Sequence, residues 1–174
     1  MNSKKSNKPK EEKLTEHFSF EELTYTSNKD LKEINIEEGR KVKDKLIKLA
    51  EFAESVRGVL GCPMFITSGF RCEKLNKKVG GSKTSSHKDG FAVDLKPVNG
   101  LIDEFFEFVK KYFIENEIPF DQIIDEHSGD KHWVHIGYKN SKGEQRKQIK
   151  LYDNGTYYLL KYNNDEKEEL KNEN

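Results

Sequence analysis

Apolar residues recur every three to four positions over 37–60, "EEGRKVKDKLIKLAEFAESVRGVL", where Val42, Leu46, Leu49, Ala53, Val56 and Leu60 share one stripe. That spacing predicts an amphipathic helix, which Gly61 and Pro63 stop. "LIDEFFEFVKKYFIEN" predicts a second long helix with Leu101, Phe105, Val109 and Tyr112 on one side. Upstream, "HFSFEELTYTS" offers Phe18, Phe20 and Leu23 as an apolar cap around a short helix. Elsewhere the helical spacing gives way to short apolar runs. "MFITSG", "FAVDL", "FDQIID" and "WVHIGY" read as strands. "KQIKLYDNGTYYLLKY" reads as a hairpin turned at Asn154–Gly155. Helices come early and strands dominate later, without a repeating βαβ order, so the expected class is α+β with a mainly antiparallel sheet.

A length of 174 residues suits one domain. The polar residues 1–13 are expected to be a disordered basic tail, and 163–174 a polar C-terminal tail, leaving 14–162 as the folded domain. Lys+Arg and Asp+Glu are equal at 31 each, so no global charge draws the chain to nucleic acid or an anionic membrane. No apolar run approaches the roughly 20 residues of a membrane span. The basic start has no apolar stretch behind it, so synthesis as a cytoplasmic chain without a signal peptide is expected. Cys62 and Cys72 form no CxxC and read as free thiols in a reducing compartment.

One residue breaks the apolar pattern. Asp94 sits inside "FAVDL", and a buried carboxylate needs a cation, a donor network or a metal. Strand alternation puts Ala92 and Asp94 on one face, and Trp133, His135 and Gly137 on one face of "WVHIGY". Each strand thus carries one metal-capable residue on a small-or-aromatic face. His87 lies in a Gly/Ser loop ahead of the first strand. Two imidazoles and a carboxylate are a ligand set of catalytic zinc sites. A lone strand histidine is more often a hydrogen-bonded structural residue, and this spacing alone is not specific.

An ordered series of motifs is more specific. "ITSGFRCEKLNKKVGGSKTSSHKDGFAVDL" followed by "FDQIIDE" and "HWVHIGY" resembles the zinc D-Ala-D-Ala carboxypeptidase family, in particular small peptidase-like domains of phages and bacteria. The resemblance spans about residues 16 to 150. It implies a hedgehog-type fold, an antiparallel sheet with flanking helices. It implies His87, Asp94 and His135 as ligands of one zinc ion per chain, which would hold Asp94 ionised. It also implies that Arg71, of the SG-aromatic-R motif, binds a substrate carboxylate, a task suited to the planar guanidinium fork. Ser85, of S-x-H, is a candidate substrate or ligand-orienting hydrogen-bonding group, or a plain loop serine. Gly80 and Gly81 of "VGGS" permit close backbone approach, but no Lys-Ser/Thr follows to make a phosphate loop.

The general base is where the sequence departs from the resemblance. Many relatives carry Asp or Glu three residues before the last zinc histidine, and here that position is His132. If the strand begins at 132, His132 points away from the face of His135. Glu126 is the favoured candidate, with His132 and Asp130 as alternatives; His127 and His17 read as non-ligands. The expected function is a zinc metallopeptidase acting on peptidoglycan stem peptides, as a D-Ala-D-Ala carboxypeptidase or an endolysin-type endopeptidase. The expected chain is a monomer with no nucleic-acid partner, reaching the wall after lysis, through a holin-type pore or inside a particle. The alternative is a non-catalytic zinc-containing wall-binding or virion-structural module.

Overall fold

The computed structural model describes residues 11–161 and the backbone of 164–170. The chain is α+β. A seven-stranded sheet runs in the order β1-β2-β4-β3-β5-β6-β7. The strands are β1 (Met64–Ser68), β2 (Ala92–Pro97), β3 (Gln122–Ser128), β4 (Lys131–Gly137), β5 (Gln148–Asp153), β6 (Thr156–Lys161) and β7 (Asn164–Leu170). All neighbouring pairs are antiparallel except β3 with β5. The helices are α1 (Phe20–Leu23), α2 (Lys32–Lys41), α3 (Lys43–Leu60), α4 (Glu73–Lys78) and α5 (Ile102–Glu115).

The sequence pattern explains most of this. Ser19 and Glu22 cap α1 reciprocally, side chain to backbone in both directions, at 3.2 and 2.8 Å. Leu46, Leu49, Ala53 and Val56 of α3 are buried as the stripe predicts. They share one core with Phe105, Val109 and Phe113 of α5 and with Val93, Leu95, Ile123, Val134 and Ile136 of the central strands. Alternation therefore sends one face of β2, β3 and β4 into the helices and leaves the other for chemistry.

Three expectations need correction. The helix expected over 37–60 is two helices, because the backbone leaves the helical region at Val42. On α5 the core face uses Phe106 and Phe113, whereas Leu101 is 51% exposed and lies just ahead of the helix. At 3.6 residues per turn Phe106 and Phe113 fall on the same side of Phe105, so the true face is rotated from the simplest three-to-four count. Finally, residues 164–170, read from composition as tail, run as the edge strand beside β6. At the other end, Lys13 bridges to Ser19, while residues 1–10, the greater part of the expected N-terminal tail, lie outside the described residues.

Candidate active site

Two close backbone approaches shape the loops that reach the open face of the sheet. Gly69 passes so near α1 that a Cβ there would sit 2.3 Å from the Leu23 carbonyl oxygen. Only glycine fits without displacing backbone, and the next residue, Phe70, donates its N–H to that carbonyl at 2.7 Å. The Gly69 carbonyl is then held where His87 Nδ1 meets it at 2.7 Å. At Gly81 an added Cβ would lie 2.2 Å from Asn76 Oδ1. The Asn76 amide donates to the carbonyls of Gly81 and Ser82 at 3.2 and 2.8 Å. The asparagine of "LN" thus fastens the "VGGS" turn ahead of the His87 loop.

Asn35 was not singled out by the sequence, yet it fixes the neighbouring segment. Fully buried, it donates to the carbonyls of Thr24 and Phe70 at 2.8 and 3.1 Å and accepts from the Cys72 N–H at 2.8 Å. Its carboxamide therefore grips the chain on both sides of Arg71. An asparagine in a polar helix gives no signal of this, because its partners are backbone groups far along the chain.

His87, Asp94 and His135 come together, all buried. Asp94 and His135 are register partners across β2 and β4. His135 Nδ1 is 2.9 Å from Asp94 Oδ1 and 3.1 Å from His87 Nε2, and His87 Nε2 is 3.2 Å from Asp94 Oδ1. The Gly69 carbonyl only accepts, so His87 carries its proton on Nδ1 and turns a lone pair at Nε2 toward the other two. Bonds of about 2.0 Å to a tetrahedral zinc imply ligand-to-ligand edges of about 3.3 Å. Three donor atoms of the right kinds at nearly that spacing fit such an ion.

The electrostatics agree. Burial pushes the Asp94 carboxyl up, but its interactions with the neighbouring His87 and His135 outweigh that and leave it below the usual carboxylate range. Burial lowers His87 to about 4 despite the pull of Asp94, keeping it neutral. Burial also lowers His135, but its hydrogen bond and charge interaction with Asp94 leave it raised overall.

Glu126 lies on the same face. It pairs in register with Trp133, two residues before His135, so alternation puts both side chains beside the cluster. Burial, reinforced by the Asp94 charge, raises the Glu126 carboxyl to about 7; His135, Arg71 and the Trp133 indole pull the other way. Among the described residues Arg71 Nε is buried without a hydrogen-bond partner, and the buried Trp133 indole N–H interacts with Glu126 without meeting full hydrogen-bond geometry. Arg71 does reach Ser85, donating from Nη2 to Oγ at 3.4 Å, so the two expected substrate contacts adjoin. Among the described residues Arg71 has no carboxylate within ion-pair distance.

His132 falls elsewhere. β4 begins at Lys131, so His132 is inside the strand and on the opposite face, 2.5 Å from Asp125 Oδ1. The geometry therefore speaks against His132 as the base. Asp130 is exposed in the β3–β4 turn. His17 is bound by Glu54 at 2.5 Å, remote from the cluster in its contacts.

A family model described as peptidase M15 matches residues 16–137. The chain belongs to the peptidase M15 family. No curated protein compared with the chain matches it. Peptidases of the M15 family are hydrolases and are typically zinc-dependent, and the His87, Asp94 and His135 cluster of this M15 peptidase could hold a metal. The matched region ends at Gly137, just past His135. The hairpin of β5 and β6 lies beyond it, yet it extends the same face: Glu126 pairs with Tyr152, and Tyr152 with Tyr157. The two tyrosine rings are 4.7 Å apart. Burial, with the nearby Glu126 charge, raises the Tyr157 phenol, so it stays protonated. No helix among the described residues is long and apolar enough to cross a membrane.

Proposed function

We propose that this M15 peptidase is a zinc enzyme that hydrolyses peptide bonds in peptidoglycan stem peptides, as a D-Ala-D-Ala carboxypeptidase or an endolysin-type endopeptidase. The observation that carries the proposal is Glu126. It is a carboxyl group raised to about 7, on the face that holds three convergent metal-ligating atoms. A base poised near neutral pH is what proton transfer at a peptide bond requires.

His87, Asp94 and His135 are the residues that would hold zinc. An ion there supplies Lewis-acid polarisation of the peptide carbonyl and makes a water easier to deprotonate. Glu126, ionised, takes the proton from the attacking water and returns it to the leaving amine. Arg71, with no carboxylate partner among the described residues, grips the substrate carboxylate with two parallel N–H donors. Ser85 steadies the guanidinium from the side. Arg71 Nε is a buried donor without a partner among the described residues, and a peptide backbone offers carbonyl oxygens. Tyr152 and Tyr157 continue the face as an amphipathic wall for the rest of the peptide.

Purified cell walls incubated with the protein, with and without chelator and added zinc, test this. Mass spectrometry of the released muropeptides is expected to show zinc-dependent loss of a terminal D-Ala or scission of a crosslink. Unchanged muropeptides with zinc bound would leave the non-catalytic wall-binding module as the reading.

A further inference from the structure

The back of the β3–β4 hairpin carries a second group of metal-capable side chains, Asp125, His127 and His132. His127 and His132 are register partners. Alternation puts Asp125 on their face, away from Glu126. His132 Nε2 lies 2.5 Å from Asp125 Oδ1 and His127 Nε2 3.1 Å from Asp125 Oδ2. The two imidazoles are stacked, with centroids 3.9 Å apart. All three residues are half-buried. On its far side His132 Nδ1 faces Asp103 Oδ1, at the start of α5, at 4.0 Å.

Both rings turn the same nitrogen to one carboxylate. With neutral rings and no metal, each Nε2–H donates to Asp125. Shifting each proton to Nδ1 turns two lone pairs toward the carboxylate at no cost in net charge. Asp103 then stands on the Nδ1–H side of His132, 4.0 Å away and beyond direct hydrogen-bond reach, where its charge still favours that tautomer.

We propose that Asp125, His127 and His132 form a second metal site for a divalent transition ion of the zinc class. Two imidazole nitrogens and one carboxylate oxygen favour such ions over magnesium or calcium. An ion held there cross-links β3 to β4 behind the strands that carry Glu126 and His135, and stabilises the hairpin by binding only its folded form. His127, which the sequence pattern left as a non-ligand, becomes one because the hairpin register brings it against His132.

Metal-stripped full-length protein titrated with zinc by calorimetry, with metal content measured after dialysis, tests the site. The parent is expected to hold about two zinc ions per chain, both on sets of three protein ligands. His127→Asn and His132→Gln should each lose about one, and His87→Ala should lose the other while keeping the His132-dependent ion. Circular dichroism checks that each variant folds. Uptake of a single zinc that only His87→Ala removes would overturn the proposal. So would a second zinc that survives in both His127→Asn and His132→Gln. Because the two sites have separate ligands, failure of one reading leaves the other measurable.

Discussion

Asp94 and His135 face one another across β2 and β4, with His135 Nδ1 2.9 Å from Asp94 Oδ1, and the lone pair of His87 Nε2 meets both. The three residues arrive from a loop and two neighbouring strands, so their spacing is set by sheet register and not by one flexible segment. His87→Ala, Asp94→Ala and His135→Ala are each expected to remove about one zinc per chain relative to the parent and to abolish hydrolysis. Metal analysis of the purified variants checks this. Full metal retention by His135→Ala would show the ligand set to be wrong.

Glu126→Gln keeps the side chain's size but not its basicity. It should retain metal and lose turnover by roughly 10²-fold or more, the usual size for losing an acid–base group. His132→Gln should cost far less, because its ring is on the other face. In the proposed mechanism the working form of Glu126 is the carboxylate, whose pKa burial raises to about 7. Activity should therefore climb as pH rises toward neutrality. A cation on the nearby ligands favours the ionised form and moves that limb lower. A pH profile of kcat/KM, in which the acid limb disappears in Glu126→Gln, is the measurement. If Glu126→Gln turns over normally while metal-loaded His132→Gln is inactive, the roles are reversed.

The same carboxyl affects stability in the metal-free protein. Its folded pKa lies above the unfolded value, so whatever it contributes is intact in acid and is lost as pH rises through about 7. Glu126→Gln removes that burden. In chelator, its melting temperature should exceed that of the parent at pH 8 and approach it near pH 4. A constant difference across that range would mean that Glu126 titrates normally.

Arg71→Lys retains the charge but not the fork. On a substrate with a free terminal carboxylate, KM should rise with a smaller change in kcat. On a substrate lacking that carboxylate the variant should match the parent. Unchanged kinetics on both would make Arg71 a structural residue or the enzyme an endopeptidase.

The parts of this arrangement legible in the sequence are those that depend on neighbours along the chain. Alternation within "FAVDL" and "WVHIGY" gave the faces of Asp94 and His135, and the same rule turned His132 away once β4 began at Lys131. The break at Val42 was hidden because no glycine or proline marks it, and the nearby Gly39 lies inside α2. The row from Trp133 through Glu126 and Tyr152 to Tyr157 was hidden too. It depends on β5 pairing with β3 in parallel, and nothing local in either strand encodes that choice. The gathering of Asp125, His127 and His132 likewise rests on hairpin register.

Asn35 is the clearest case of a residue whose importance is invisible locally, and it yields a stability prediction. Its carboxamide satisfies the Thr24 carbonyl at the end of α1 and, on either side of Arg71, the Phe70 carbonyl and the Cys72 N–H. Asn35→Ala leaves all three without that partner, and unsatisfied buried polar groups cost about 1–3 kcal/mol each before relaxation or water entry. A net loss of about 2–4 kcal/mol by denaturant unfolding is expected, since such penalties do not add fully. Asn35→Asp separates hydrogen bonding from packing. It preserves shape and the bond from the Cys72 N–H, but sets a carboxylate against the Thr24 and Phe70 carbonyl oxygens. It should therefore destabilise at least as much as Asn35→Ala. Where enough folded protein remains, KM for a free-carboxylate substrate should rise in both variants, because Arg71 loses its anchorage, while metal content stays unchanged. An Asn35→Asp variant as stable as the parent would show that this carboxamide does not hold the Arg71 segment.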